Sequence, residues 1–432
     1  MSELRQIADR FDAILQDRKL EKYTYTLSES EKREMNVKDG GFKLMRTVFN
    51  NNGSLSVYLG TKVGAVNGND LSEEGLEKLV SDGIAAAESA AEDPCHDFGP
   101  DQGKDVFRQG IWEPDLDLYL ERVKEFLATA AKEFPKVKIM TAIASYDRWN
   151  WISRNTNGTE FEGFGGQYSF MVEICAGEGE KTTGIDGTGF VTKDLSTPFM
   201  ELADVRQHMI DVQNSIDTES VEGKFEGTII LTPGCASQFI SMIISNYVGS
   251  SVIIDGTSQW LDKVGEKVAD EKLTIALNPY DDRIVMGERA TSDGFRSEAV
   301  TIIDKGVLKT HLLGLYAANK TGRPHVKNTG FDLVVEPGEK SLAELIASVD
   351  RGLVMGGFSG GQPGANGEFS GVAKNSFLIE NGKIKCAVSE TMVNGNLGDA
   401  IKNVRGISKE VLLDGTSVVP YVALDGIIIS GK

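Results

Sequence analysis

Glycine occupies 48 of the 432 positions, about one in nine against a usual ~7%, and it falls where short apolar runs end. A chain punctuated in this way folds through many tight turns between short strands, because glycine enters the left-handed region without a steric penalty. Asp39-Gly40-Gly41, Asn51-Asn52-Gly53, Asn157-Gly158, Asp304-Lys305-Gly306 and Asn381-Gly382 are turn chemistry of this kind. Between them, Tyr23 to Leu27, Glu34 to Lys38, Phe42 to Phe49 and Leu55 to Lys62 read as strands, as does Val137 to about Thr192. Thr228 to Leu231 is a buried strand, and short β-like runs dominate from Leu273 onward. The run Gly356 to Gly371 has too few side chains for a packed element. It reads as a mobile loop, or as a backbone surface that something else approaches closely.

Helical spacing interrupts this pattern at a few places. Leu4, Ile7, Ala8, Phe11, Ile14 and Leu15 share a face behind a capping Ser2. Asn69-Asp70-Leu71-Ser72 opens an Ala-rich helix to about Ala91, and Pro114 opens another that must end before Pro135. Phe199 to Ile216 forms a fourth, and Pro233-Gly234 leads into an apolar helix through Ile240, Ile243, Ile244 and Val248. Ser341 and Glu344 form a capping box. The expected class is α+β: an N-terminal α+β half with sheets flanked by helices, then a C-terminal β-rich half with a few helices. The expected division is an N-terminal domain over 1–92, a Pro/Gly/Asp-rich linker over 93–110, a central α+β segment over 111–222 and a β-rich domain over 223–432.

Charge and composition exclude several function classes. A net charge of −19 repels a phosphate backbone unless a basic patch overrides it, and the densest candidate, Lys32-Arg33, is flanked by Glu31 and Glu34. Direct nucleic-acid binding is not expected. Asp9, Arg10, Asp12 and Asp17 interrupt the first twenty residues, and no apolar window approaches a membrane span. A soluble, cytoplasmic protein without membrane attachment is therefore expected. Cys95, Cys175, Cys235 and Cys386 form no CxxC pair and read as scattered thiols, most of them buried.

A hydrolytic metal centre needs converging His, Cys or carboxylate ligands. His96, His208, His311 and His325 offer no pair three to five residues apart. His208 reads as a surface or boundary residue of a helix, His96 as solvated in the linker and His325 as loop-borne. Ser359 lacks a nucleophile elbow and a neighbouring base, and the glycine run lacks the Lys-Ser/Thr of a phosphate cradle. Asp281-Asp282 and Asp293 could hold a cation weakly, although a solvated acidic loop explains them as well.

The C-terminal two hundred residues resemble the TldD/PmbA family, in particular its TldE/PmbA branch. The resemblance rests on Lys327-Asn328-Thr329-Gly330 through Glu336-Pro337-Gly338, Ser341 to Ile346, Arg351-Gly352-Leu353, Asn366 to Ser370, Leu378 to Gly382 and Gly395-Asn396-Leu397, in that order. Gly53 to Ser72 is similar to the family's N-terminal block, and the likeness is weakest from Val137 to Asp194. The resemblance implies a subunit of a two-subunit metalloprotease that cleaves unfolded or extended peptides. Its TldD-like partner would carry zinc on a His-Glu-x-x-x-His helix with a further Cys ligand near the C-terminus. An older description of the family as a modulator of DNA gyrase follows the same resemblance.

Leu231 to Gly234 and Thr257-Ser258 bracket that motif helix, which puts the histidine positions at Ser241 and Asn246 and the glutamate position at Met242. Serine and asparagine are poor zinc ligands, and methionine cannot act as a base. No cysteine lies near Leu413 to Pro420. The expectation is a chain with no cofactor of its own, zinc in a TldD-like partner, and a homodimer possible in isolation. A sheet edge at Gly356, Gly357, Gly360 and Gly361 would accept peptide by strand addition. Two alternatives stand beside this: a self-sufficient peptidase with an unrecognised site, and a regulatory binding protein acting on DNA gyrase.

Overall fold

A computed structural model describes residues 3–330 and 332–431 of the chain; Ser2, expected as the first cap, lies outside them. The N-terminal half runs α1 (Glu3–Asp17), β1 (Tyr23–Lys38), β2 (Gly41–Leu59), β3 (Lys62–Gly68), α2 (Glu73–Ser89) and β4 (Lys104–Gly110). It continues with α3 (Leu116–Glu133), β5 (Val137–Asn155), β6 (Glu160–Glu178), β7 (Lys181–Thr182), β8 (Asp186–Thr192) and α4 (Val205–Asn214). The expected helix over 199–216 is thus shorter, with a single 3-10 turn at Phe199–Glu201 ahead of α4.

These strands make one sheet in the order β3-β2-β1-β5-β6-β4, with β8 also on β6. Its unit is the pairing of β1 with β5, in register from Thr24↔Asn155 to Lys38↔Thr141. Side chains alternate across a strand, so Leu27 and Val37, ten residues apart, share a face. Both are buried, but in different cores. Leu27 packs with Phe11 of α1 and Leu76 of α2, and Val37 with Val123 and Phe126 of α3. Two helix groups therefore lie side by side on one face of unusually long strands. The opposite face of β1 carries Thr24, Thr26, Ser28, Ser30 and Lys32.

The C-terminal half begins with β9 (Thr218–Ser220), β10 (Lys224–Leu231), α5 (Pro233–Ile243), α6 (Ser250–Ile254), β11 (Ile275–Leu277), β12 (Val300–Asp304) and β13 (Val307–Leu308). Next come α7 (Leu315–Thr321), β14 (Leu333–Val335), α8 (Leu342–Ala347), β15 (Arg351–Met355), β16 (Gly357–Gly360), β17 (Glu368–Lys374) and β18 (Ser376–Glu380). The last elements are β19 (Lys383–Ser389), β20 (Met392–Asn396), α9 (Leu397–Ala400), β21 (Val404–Leu413) and β22 (Val418–Ser430). Among the described residues a fourteen-stranded sheet is organised on β22, which pairs β10, β14, β20 and β21. Ile229, Ile230 and Leu231 are all buried, because β10 has cores on both faces. Ile229 and Leu231 pack with Phe239 of α5, and Ile230 packs with Leu345 of α8. The capping box at Ser341 and Glu344 is present. The mixed α+β class holds, with a strand-rich C-terminal half. Among the described residues no helix is long and apolar enough to cross a membrane.

Three expectations are corrected here. Segment 93–110 is not a free linker. Its β4 pairs in parallel with β6 from Lys104↔Glu160 to Gly110↔Gly166, which satisfies backbone groups that a loop would leave to water. It is also the seam between the halves: Tyr316 and Lys320 bond Asp93 at 2.9 and 2.8 Å, Arg296 bonds Asp105 at 2.9 Å and Gln109 donates to the Gly287 carbonyl at 2.7 Å. Asn51-Asn52-Gly53 does not break a strand; β2 passes through it, with Leu27↔Gly53↔Gly68 in register. The pairing of β1 along its full length overrides local turn propensity. Of the four cysteines only Cys235 is buried; Cys95, Cys175 and Cys386 are half-buried.

Candidate functional site

Strand β10 ends at Leu231, and Pro233 stands in the first turn of α5, where a missing N–H costs nothing. The helix buries Cys235, Ala236, Phe239, Ile240, Met242 and Ile243, and exposes Gln238 and Ser241. After Ile243 it widens into a π-turn over Ile244–Val248, closed by the Gly249 amide donating to the Ile244 carbonyl at 2.8 Å. An α-helix turns about 100° per residue, which would set Ser241 and Asn246 about 140° apart. The wider i→i+5 turn brings Asn246 back toward the face of Ser241 while keeping Tyr247 and Val248 in the core.

The Gly-rich run lies along this same helix, and it is not the loop its composition suggests. It folds as an antiparallel hairpin of β16 and β17, with Gly357↔Lys374 to Gly360↔Gly371 in register, and β17 joins the sheet through β20. The ring of Phe358 explains two of its glycines. A Cβ on Gly360 or Gly371 would stand 2.5 or 2.6 Å from that ring, so only hydrogen fits. Phe358 completes an edge-to-face trio with Phe239 and Phe369, with centroids 5.3 to 5.8 Å apart.

Side chains of the helix hold the hairpin in place. Thr232 Oγ1 donates to the Gly356 carbonyl at 3.1 Å, Gln238 Nε2 to the Phe358 carbonyl at 3.1 Å and Asn246 Nδ2 to the Gly364 carbonyl at 3.3 Å. Ser241 Oγ turns back to the Ser237 carbonyl of its own helix at 2.9 Å. Met242 is 5% exposed and belongs to the core. The three positions at which zinc ligation and a base would be sought are thus a self-bonded hydroxyl, a buried thioether and an amide already donating to a carbonyl. They do not fit a zinc ion. Thr232 and Gln238 escaped the reading of the sequence, although Gln238 sits one turn before Ser241 on the same face.

Of the glycines expected to line a peptide edge, Gly356 and Gly360 are explained by the chain's own neighbours. A Cβ on Gly356 would stand 2.3 Å from the Asn375 carbonyl. Gly357 would meet only Lys374 Cβ at 3.6 Å, and Gly361 nothing within 4 Å. Among the described residues β16 pairs with β17 alone; no second strand flanks it, although Gln238 of α5 takes its Phe358 carbonyl.

The other chemistry-bearing side chains are scattered. His311 is buried with Nε2 3.0 Å from the Trp260 carbonyl, and burial holds its pKa below the usual range. His208 lies 3.3 Å from Asp186 and His325 3.1 Å from Asp293. His96 is exposed and stacks on Tyr316 at 4.4 Å between centroids. Asp281 is taken by Arg283, and Asp293 accepts from the Leu315 amide at the start of α7. Burial pushes the Cys235 thiol up to about 12, which makes it inert. Ser359 is exposed on β16, and among the described residues no histidine is hydrogen-bonded to it. Among the same residues no group of three or more His, Cys, Asp or Glu is placed to hold a metal ion.

Residues 223–431 match the family described as the PmbA/TldA metallopeptidase C-terminal domain. A metalloprotease of Methanocaldococcus jannaschii is 24% identical over 421 residues, covering 92% of this chain and 90% of that one. The crystal structure of TldE from Thermococcus kodakarensis superposes with a TM-score of 0.85 at 18% identity, over 98% of this chain and all of that one. A Bacteroides thetaiotaomicron protein described as a candidate modulator of DNA gyrase gives a TM-score of 0.84 at 24% identity, over the full length of both. At those identities the two structures show a shared fold.

Proposed function

The chain belongs to the TldD/PmbA family, and from that premise we propose that it is a TldE/PmbA-type subunit of a metalloprotease that cleaves unfolded or extended peptides, with zinc carried by a TldD-like partner and none bound here. The observation that carries this reading is the motif face of α5. Ser241, Met242 and Asn246 stand where two ligands and a base would be required, and each is committed elsewhere. What the chain contributes is then surface. The side of β16 that no described strand covers supports addition of an extended peptide, which would compete with Gln238 for the Phe358 carbonyl and whose backbone hydrogen bonds read conformation rather than sequence. A Cβ added at Gly357 or Gly361 would meet nothing closer than 3.6 Å.

The test is metal analysis of the purified chain together with a peptidase assay, with and without a co-purified TldD-like protein and a chelator. No stoichiometric zinc, no cleavage by the chain alone and chelator-sensitive cleavage by the pair are expected. One zinc per chain with cleavage by the chain alone would refute the subunit reading in favour of a self-sufficient peptidase. For the edge, deletion of residues 357–364 should lower turnover by the pair while the two proteins still co-purify. Unchanged turnover would remove β16 from the reading.

A further inference from the structure

The long strands of the N-terminal sheet outrun the helices that cover them. β1 has 16 residues and β5 and β6 have 19 each, about 50–60 Å at ~3.3 Å per residue. On the helix-bearing face, the core of α1 and α2 ends at Ile152 of β5, and the core of α3 begins at Tyr146 of the same strand. Arg148 and Asn150 fill the interval on that face. Arg148 bonds Glu31 at 2.5 Å, and Asn150 donates to Glu29 at 3.2 Å. A cleft of about 470 Å³ opens here. Leu4 and Arg5 of α1 wall one side and Trp112 the other, with Asn150, Ile152 and Phe164 in the floor. Such a volume, apolar with a few polar groups, is usual for a small-ligand site. Trp112 is held through its backbone: the Ile111 amide donates to the Gly166 carbonyl at 2.7 Å, and Tyr146 Oη stands 2.7 Å from the Trp112 carbonyl. Its indole is 38% exposed and meets the Phe164 ring edge to face, with centroids 5.5 Å apart.

Residues opposite one another on adjacent strands share a face, so one row across four strands reads Glu29, Asn150, Phe164, Arg108. The cations around the cleft are not equivalent. Arg5 is bonded to Glu160 and Glu162, and Arg148 is bonded to Glu31 and stacks on Trp112 at 5.1 Å. Arg108 is exposed and stacks on Phe164 at 5.0 Å, and among the described residues it has no carboxylate partner. We propose that this cleft binds an aromatic residue bearing a free carboxylate: a tyrosine or tryptophan at the end of a peptide, or the same residue as a small free acid. Trp112 and Phe164 form the corner that receives the ring. Arg108 supplies the charge for the carboxylate. Asn150 spends its amide nitrogen on Glu29, which leaves its oxygen to accept from the phenol or indole. Asn150 and Arg108 stand two strands apart, about 10 Å, a gap that a tyrosine bridges with one hydrogen bond at each end. An aliphatic acid would leave the two rings without a partner, and an aromatic cation would face Arg108. The site shares no residue with the α5 hairpin and does not rest on the subunit reading.

The experiment is calorimetric titration of the full chain with N-acetyl-tyrosine and with N-acetyl-tyrosinamide. The acid is expected to bind with a Kd below about 1 mM, usual for a ligand this small. The amide should bind at least about fivefold more weakly. Arg108→Gln, at an exposed position, should remove that difference and leave melting unchanged. Trp112→Ala should abolish binding of both. N-acetyl-phenylalanine, which lacks the hydroxyl, should bind the wild type more weakly than N-acetyl-tyrosine does, and the two should bind Asn150→Ala equally. A Gly-Gly-Gly-Tyr peptide that binds as tightly as N-acetyl-tyrosine assigns the site to peptide ends. A peptide that fails where the single residue binds assigns it to the free acid. No heat with N-acetyl-tyrosine up to about 5 mM, equal binding of acid and amide, or binding that Arg108→Gln and Trp112→Ala both leave unchanged overturns the inference.

Discussion

Met242→Glu puts a carboxyl at the position in α5 where the proposed reading seeks the base, and the burial of that position says what it should cost. The side chain is 5% exposed among Phe239, Ile243 and their neighbours. Removing its apolar burial forfeits about 1.5–3 kcal/mol. The charge term has an upper bound, because a carboxyl that cannot be hydrated takes up a proton instead. Holding it neutral at pH 7 costs about 1.36 kcal/mol for each of the ~2.7 units separating pH 7 from the ordinary Glu pKa, or about 3.7 kcal/mol. The whole is at most about 5–7 kcal/mol at pH 7. The sign is fixed: the folded carboxyl keeps a proton that the unfolded chain releases, so stability falls as pH rises above the unfolded pKa. At pH 5 the charge term shrinks to about 1 kcal/mol, and Met242→Gln should show none of this slope. Urea unfolding of the three proteins at both pH values measures it. If Met242→Glu and Met242→Gln shift together at both pH values, the side chain reaches solvent. The argument that this chain cannot host the base at that position would then fail.

Gly367 has φ +84°, and a Cβ there would stand 2.1 Å from Tyr247 Oη. Gly367→Ala should lower stability by about 1–3 kcal/mol, read as a lower Tm, with proteolysis opening first between 361 and 368. The double change Gln238→Ala/Asn246→Ala removes two bonds to the hairpin and should cost about 1–3 kcal/mol. Its signature is faster amide exchange confined to 357–367, and unchanged exchange there would mean these bonds do not hold the segment. His311 has its pKa depressed by burial, so the unfolded chain binds a proton the fold refuses. Stability is lost as pH falls below the unfolded histidine value of ~6.5. His311→Gln should flatten that part of the pH–stability profile, and an unaltered slope would assign it to other groups.

Local pattern was enough wherever local physics decides the outcome. The capping box at Ser341, the turns at Asp39, Asn157, Asp304 and Asn381, and the helices α1, α2 and α3 follow from residues within one turn of each other. Where the reading departed from the structure, distant strands were responsible. Asn51-Asn52-Gly53 is turn chemistry that β1 and β3 hold extended. The stretch 93–110 looked like a linker because its strand is completed by β6, more than fifty residues later. The glycines of 356–371 looked like slack chain, yet those at 360 and 371 make room for a phenylalanine ring contributed by the same hairpin.

Counting along the sequence yields the expectation that serine, methionine and asparagine occupy the motif positions, and their chemistry as ligands is a covalent property of the chain. Where those side chains point was not. The π-turn that swings Asn246 round, the carbonyls of the hairpin that Gln238 and Asn246 hold, and the burial of Met242 depend on packing between segments about 120 residues apart. Side-chain direction is set by such contacts, and no single stretch of sequence contains both partners.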